Sequence, residues 1–239
     1  MTAFVKMHGL GNDFIVFDAR DPASGIPDVI SEVAATALAE RHFGIGCDQI
    51  LVIRRSQRAD VFMQILNSDG SNAVACGNGT RCVADYIMKE VAQDHLSIET
   101  ESGLLKSWRS TKNPNHIAVD MGPVHLDWAA VPLATKVDTL AVDLGSRAPA
   151  PAICQSVGNP HAVLFVDDAE SVDLNAIGPA LENHPLFPDR ANISIVNQIG
   201  SDQFRMRVWE RGGGITLACG SGACAVGVAV HRSGRGSRS

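Results

Sequence analysis

Ala75-Cys76-Gly77-Asn78-Gly79-Thr80-Arg81-Cys82 returns later in the chain as Ala218-Cys219-Gly220-Ser221-Gly222-Ala223-Cys224, with one residue fewer before the second cysteine. Each copy follows a strand-like run and opens a helix-like one. A weaker echo lies upstream, where Gly11-Asn12-Asp13-Phe14 is matched by Gly158-Asn159-Pro160-His161. Cys76 and Cys219 stand 143 positions apart, and Asn12 and Asn159 stand 147 apart. Two elements in one order at nearly one spacing predict a duplicated half. The join is expected near Gly122-Pro123, giving a first half over 1–122 that carries Cys76 and a second over 123–231 that carries Cys219. The segment 232–239 is rich in Arg, Ser and Gly, has no apolar residue, and is expected to be a disordered tail.

Around the repeat, short runs rich in Val, Ile and Phe are bounded by Gly, Pro, Asn or Asp, the signature of strands. They include Ala3–Met7, Phe14–Asp18, Gln49–Ile53, Val61–Asn67, Leu96–Thr100, Lys136–Val142, Asn192–Val196 and Gln203–Glu210. Helices are predicted over Val29–Arg41, Gly79–Val91, Leu174–Glu182 and Gly222–Arg232. The last is apolar or small all round and reads as buried on every side, with Cys82 and Cys224 on inward faces. Many strands with few helices place the chain in the α+β class.

The composition narrows the function. The chain has 239 residues, a net charge of −6 and 45 % hydrophobic residues. No basic surplus exists to neutralise phosphates, so nucleic acid is not an expected partner. No apolar run approaches the about 18 residues of a membrane helix, and the first residues carry no signal pattern. No membrane partner and a cytoplasmic location are the expectation. The six cysteines form no C-x-x-C pair and have no His cluster at zinc spacing, so no metal site is predicted.

Cys-Gly-x-Gly at a helix start is a chemical device. Glycines let backbone approach a ligand closely, and first-turn N–H groups have no intrahelical partner. With the helix dipole they suit a carboxylate, and they stabilise a thiolate. One copy alone reads better as a turn with an inert thiol. Two copies in a two-fold arrangement would put two thiols across one cleft, one removing a proton from an α-carbon and the other delivering a proton to the opposite face. N–H donors would stabilise the charge that develops on the carboxylate, so no electron-sink cofactor is expected. A Cys–His hydrolase with Cys76 as nucleophile and His161 as base is an alternative, but it leaves the second copy unexplained. A binding protein that keeps the fold without turnover is another.

The sequence closely resembles the diaminopimelate epimerase family. The resemblance runs from about Phe4 to His231. It is carried by His8-Gly9-Leu10-Gly11-Asn12-Asp13-Phe14, Gly44-Ile45-Gly46-Cys47-Asp48-Gln49, Asn67-Ser68-Asp69-Gly70-Ser71, both Cys-Gly-x-Gly copies, Gly158-Asn159-Pro160-His161 and Trp209-Glu210-Arg211-Gly212. It implies two pseudo-symmetric halves, each a mainly antiparallel sheet wrapped around a central helix, with the site in the cleft between them. The implied reaction is the interconversion of LL- and meso-2,6-diaminopimelate in lysine and peptidoglycan-precursor synthesis, without a cofactor.

In that reading Cys76 and Cys219 are the acid–base pair, and His161 and Glu210 help to set their protonation. Gly77, Asn78, Gly220 and Ser221 would hold the reacting carboxylate. Asn12, Gln49, Asn67, Asn159, Asn192, Glu210 and Arg211 match substrate-contacting positions. Arg211 suits the fork of a distal carboxylate, and Glu210 suits an ammonium. Read without the family, Asn12 and Asn67 remain turn residues and Glu210–Arg211 a surface pair.

A proline or hydroxyproline racemase-type enzyme is the nearest competing activity. That group usually has His after its first Cys-Gly, where Asn78 stands here. Family members also usually continue for a few tens of residues past the Cys219 helix. Ending at Ser239 is therefore expected to leave apolar area and sheet edge uncovered and to lower stability. A homodimer is left open as the assembly.

Overall fold

The runs Phe14-Ile15-Val16-Phe17 and Ile50-Leu51-Val52-Ile53 are apolar at every position, which suits strands buried on both faces. In the computed structural model, which describes residues 2–237, they are the centres of β2 (Asn12–Asp18) and β3 (Gln49–Arg54). The chain divides into two compact units, Met1–Met121 and Gly122–Ser239.

The first unit is a seven-stranded sheet ordered as in the chain. Its other strands are β1 (Val5–Gly9), β4 (Val61–Asn67), β5 (His95–Thr100), β6 (Gly103–Arg109) and β7 (Ile117–Asp120). Most neighbours are antiparallel, but β2–β3 and β4–β5 are parallel. A parallel pair needs a crossover. Helices α1 (Glu32–Ala39) and α2 (Gly77–Val91) lie in the two crossovers.

Side chains alternate between the faces of a strand. Phe14, Val16, Leu51 and Ile53 pack on Cys82, Val83, Ile87 and Met88 of α2. Ile15, Phe17, Ile50 and Val52 pack on Ala35 and Ala39 of α1. Helix α2 touches β1, β2, β3, β5, β6 and β7, so this sheet wraps it.

The second unit is a five-stranded sheet. It contains β8 (Ala152–Ser156), β9 (Pro160–Phe165), β10 (Asn192–Gly200), β11 (Gln203–Glu210) and β12 (Gly214–Thr216), in the order β12-β11-β10-β9-β8. Only β9–β10 is parallel, and α3 (Leu174–Glu182) makes its crossover. Ala162, Leu164, Ile193 and Ile195 form a core with Leu174 and Leu181 of α3. Helix α4 (Gly220–Arg232) touches β8, β9, β10 and β11.

Several sequence expectations need correction. Lys136–Val142 is not a strand, although Val142 is buried and forms an isolated bridge to Ala152. Val137 and Val142 reach the core from an irregular segment held by a Thr139 Oγ1 donation to the Leu126 carbonyl at 2.9 Å, whereas Leu140 is exposed. Strands β6 and β12 were not among the predicted runs. Cys224 is exposed, and so are Ala223 and Gly227, because this unit's strands cover only one side of α4. A groove of about 430 Å³ lies between Val226 and Val230 of α4 and Phe204 and Met206 of β11.

The segment expected to be a disordered tail is also placed, as far as Ser237. Arg232 closes α4 and donates to the Cys154 carbonyl at 2.9 Å and to Thr139 Oγ1 at 2.8 Å. The Arg235 guanidinium lies 4.6 Å from the Phe165 ring centroid, and the Ser237 N–H donates to Asp202 Oδ1. Arginine is polar only at its tip, so a carbonyl or an aromatic face can dock it where composition alone reads as tail. The expectation for 238 and 239 lies outside the described residues. Among the described residues no helix is long and apolar enough to cross a membrane.

Candidate active site

Both cysteines of the repeat do the same local job. Cys76 is the N-cap of α2, with extended backbone (φ −150°, ψ 103°), and its Sγ accepts from the Gly79 N–H at 3.3 Å. Cys219 is the N-cap of α4 (φ −125°, ψ 114°), and its Sγ accepts from the Gly222 N–H at 3.3 Å. Each thus replaces the Ser or Asp that usually caps a helix with a sulfur at its positive end. A Cβ would be crowded at both third-position glycines. A Cβ on Gly79 would stand 3.0 Å from Leu51 Cδ2, and one on Gly222 would stand 3.2 Å from Cys219 Sγ.

In the first unit, sheet register brings Asn12, Gln49 and Asn67 to one end. Gln49 pairs with Phe14 on one side and with Asn67 on the other. Gln49 Nε2 donates to Asn67 Oδ1 at 2.9 Å, and Asn67 Nδ2 donates to Ser71 Oγ at 3.0 Å. Asn12 is delivered by the β1–β2 hairpin. Leu10 and Gly11 at its tip have φ of 57° and 89°, as a two-residue type I′ turn requires. Asn12 Oδ1 then lies 3.8 Å from Cys76 Sγ and accepts from Asn78 Nδ2 at 3.4 Å. The structure therefore brings Asn12, Asn78 and Cys76 together in this unit, beside Gln49 and Asn67.

In the second unit, Asn192 is opposite His161 in the parallel β9–β10 pair. Asn192 Nδ2 donates to the Pro160 carbonyl at 3.0 Å, and its Oδ1 accepts from the Arg211 N–H at 3.0 Å. His161 Nε2 faces Asn159 Oδ1 at 2.9 Å, so that nitrogen carries the proton. His161 is fully buried, and burial, helped by Arg211, pushes its pKa down to about 3. It is a neutral imidazole here.

Cys219 is buried as well. Burial first, and then the charge of Glu210, pushes its thiol up to about 12, against weaker opposing hydrogen bonds from Ser221 and Gly222. Glu210 Oε1 in turn accepts from Thr216 Oγ1 at 2.5 Å. Asn159, His161, Asn192, Glu210, Arg211, Cys219 and Ser221 thus form one connected set, next to Gly220 in the first turn of α4.

Sequence reasoning assigned no role to Asp48, Arg41 or Glu182. Asp48 lies inside a quoted motif, but its partners Asn12 and Asp13 become visible only once β2 and β3 pair. Glu182 ends α3 with no motif around it, yet it takes hydrogen bonds from Trp209 and Gly212, the residues on either side of Glu210–Arg211. Among the described residues no group of three or more His, Cys, Asp or Glu is arranged to hold a metal ion.

The fold is one shared with racemases and epimerases. A probable proline racemase from Agrobacterium radiobacter K84 superposes with a TM-score of 0.67 at 16 % identity, covering 98 % of this chain and 78 % of that one. A hydroxyproline epimerase from Agrobacterium vitis gives 0.63 at 15 % identity, with the same coverage. By sequence the match is narrower. The family pattern described as diaminopimelate epimerase matches residues 4–126 and 153–239. The diaminopimelate epimerase of Rhodospirillum centenum is 52 % identical over 234 residues, which are 97 % of this chain and 78 % of that protein. That of Acidiphilium cryptum is 49 % identical, over 98 % of this chain and 83 % of its own length. The chain belongs to the diaminopimelate epimerase family, whose named members are isomerases.

Proposed function

We propose that this chain interconverts LL- and meso-2,6-diaminopimelate by transferring the α-proton between two thiols. The observation that carries the reading is the duplicated cap, in which each sulfur accepts the third-residue N–H at 3.3 Å. In the proposed step the thiolate of one cysteine takes the α-proton. The electron pair moves toward the α-carboxylate, and the other thiol gives its proton to the opposite face of the carbon. The remaining sulfur is then the thiolate for the reverse reaction.

First-turn N–H groups at Gly77, Asn78, Gly220 and Ser221 would stabilise the charge on the carboxylate. The raised pKa of the Cys219 thiol keeps it protonated at rest, as a proton donor must be. Arg211 would take the distal carboxylate in a fork and Glu210 an ammonium, while Asn12, Gln49, Asn67, Asn159 and Asn192 add amide contacts. His161, neutral and buried, would orient Asn159. The pathway that uses the product would be lysine and peptidoglycan-precursor synthesis.

The test is deuterium uptake into the α-position of diaminopimelate in heavy water, without added pyridoxal phosphate or metal. Cys76→Ala and Cys219→Ala should each lower epimerisation by at least about 1,000-fold, in line with loss of an essential acid or base. Loss from only one of them, a pyridoxal requirement, or turnover of proline in place of diaminopimelate would overturn the reading.

A further inference from the structure

Asn12 is held from both ends. Its Nδ2 donates to Asp48 Oδ2 at 3.0 Å, and the same oxygen accepts the Asp13 N–H at 3.0 Å. A carboxylate can only accept, so it selects the nitrogen end of the amide. The oxygen end must then face the other way, onto Cys76 Sγ at 3.8 Å. Asp48 is itself fixed. Arg41 Nη2 donates to its Oδ1 at 2.8 Å, and its own N–H donates to Asp13 Oδ1 at 3.0 Å. Arg41 Nη1 reaches Asp13 Oδ2 at 3.1 Å, and Lys6 lies 2.8 Å from that oxygen. The charged side chains at this corner are Lys6, Asp13, Arg41 and Asp48 at the sheet end and Arg81 of α2, which donates to Asn78 Oδ1.

We infer that Asp48 is a positioning residue, which locks the Asn12 amide with its oxygen on Cys76 and so holds that sulfur as a hydrogen-bond-donating thiol. The sulfur then has two roles at once, accepting from the Gly79 N–H and donating to Asn12 Oδ1. A thiolate in the same place would face a carbonyl oxygen and lose that bond. Cys76 therefore becomes a base only when a substrate N–H competes for the Asn12 oxygen and weakens that bond. This catalytic meaning rests on the proposed two-thiol reaction. The orientation of the amide does not.

The test reads the thiol directly. The pH dependence of Cys76 alkylation by iodoacetamide is followed on the Cys76 peptide by mass spectrometry in the full chain. Asp48→Asn removes the selection for the nitrogen end, so the Asn12 amide can turn its N–H to the sulfur against only the long Asn78 contact at 3.4 Å, and the midpoint should fall by about one pH unit, a tenfold rate gain below it. Asn12→Ala should lower it too, and Asp48→Asn added to Asn12→Ala should add nothing. Arg41→Gln removes the ion pairs but leaves Asp48 on Asn12, and should not lower the midpoint.

An unchanged midpoint in Asp48→Asn, or a full shift that persists without Asn12, overturns the inference. A fall in Arg41→Gln does so as well. Wild-type protein gives an independent reading. The Asn12 side-chain amide should show a low-field, slowly exchanging proton by NMR, and a pair at free-amide positions overturns the orientation. Failure of the epimerase reading would appear as absent deuterium uptake with the alkylation pattern intact.

Discussion

The Trp209 indole N–H donates to Glu182 Oε2 at 2.7 Å, joining the end of α3 to the strand residue just before Glu210. The other oxygen of Glu182 accepts the Gly212 N–H at 2.9 Å, so one buried carboxylate holds both flanks of Glu210–Arg211. Its ion pair with Arg190 matters less, because Arg190 is 53 % exposed and solvent screens it. The two N–H groups decide the energy. Gly212 is exposed and Trp209 half-buried, so water takes over part of the lost bonding, and Glu182→Ala should cost about 1–2 kcal/mol. Urea unfolding measures it. A loss under about 0.5 kcal/mol, within the range of an ordinary surface change, would show that the carboxylate holds nothing.

Leu10 sits at a hairpin tip with φ of 57° and is 70 % exposed. A left-handed backbone disfavours Leu, whereas Asn tolerates it and is favoured in this turn. Little packing is lost on replacement. Leu10→Asn should therefore raise stability by about 1 kcal/mol. A lower melting temperature than wild type would refute this.

His161 links stability to acid. An unfolded histidine takes a proton near pH 6.5, whereas the folded one waits until about 3. Between those values the unfolded state binds more protons, so stability falls as pH falls, by about 1.4 kcal/mol per unit. His161→Gln should flatten that slope by the same amount. Unfolding free energies from about pH 6 to 4 test it, and parallel slopes for the two proteins would contradict the burial argument.

Cys154 gives the alkaline counterpart. Burial raises its thiol from 9.0 to about 12, with Arg232 opposing. Its stabilising effect is complete below about pH 9 and is lost as pH rises toward about 12, because the unfolded chain gives up the proton first. Cys154→Ala should lessen the alkaline loss by about 1.4 kcal/mol per unit. Equal alkaline slopes would count against it.

The legible parts of the fold are those whose signal is local. Val61–Asn67, Leu174–Glu182 and Gln203–Glu210 were read with the bounds the structure has. Strand β6 was missed because Gly103-Leu104-Leu105-Lys106-Ser107-Trp108-Arg109 has no β-branched residue. Val137, Leu140 and Val142 make 136–142 look like a strand by composition. Apolar residues also fill cores from irregular backbone, so Val142 is buried without lying in a ladder strand. In the site, cysteines and glycines were legible. Asp48 and Glu182 were not, since an acidic side chain acquires an orienting role only through a partner.

The chain alone determined its family and the place of a Cys-Gly-x-Gly motif at the start of each of two helices, because that signal lies within a few residues; that each sulfur caps its helix came from the structure. Tertiary structure decided which way the Asn12 amide points, how high the Cys219 thiol titrates and what holds the Glu210–Arg211 turn. The first depends on Asn12 and Asp48, 36 residues apart, the last on Glu182 and Trp209, 27 apart, meeting at hydrogen-bond distance, and the second on the burial of Cys219 beside Glu210. Sheet register and burial create such meetings, and no local pattern encodes them.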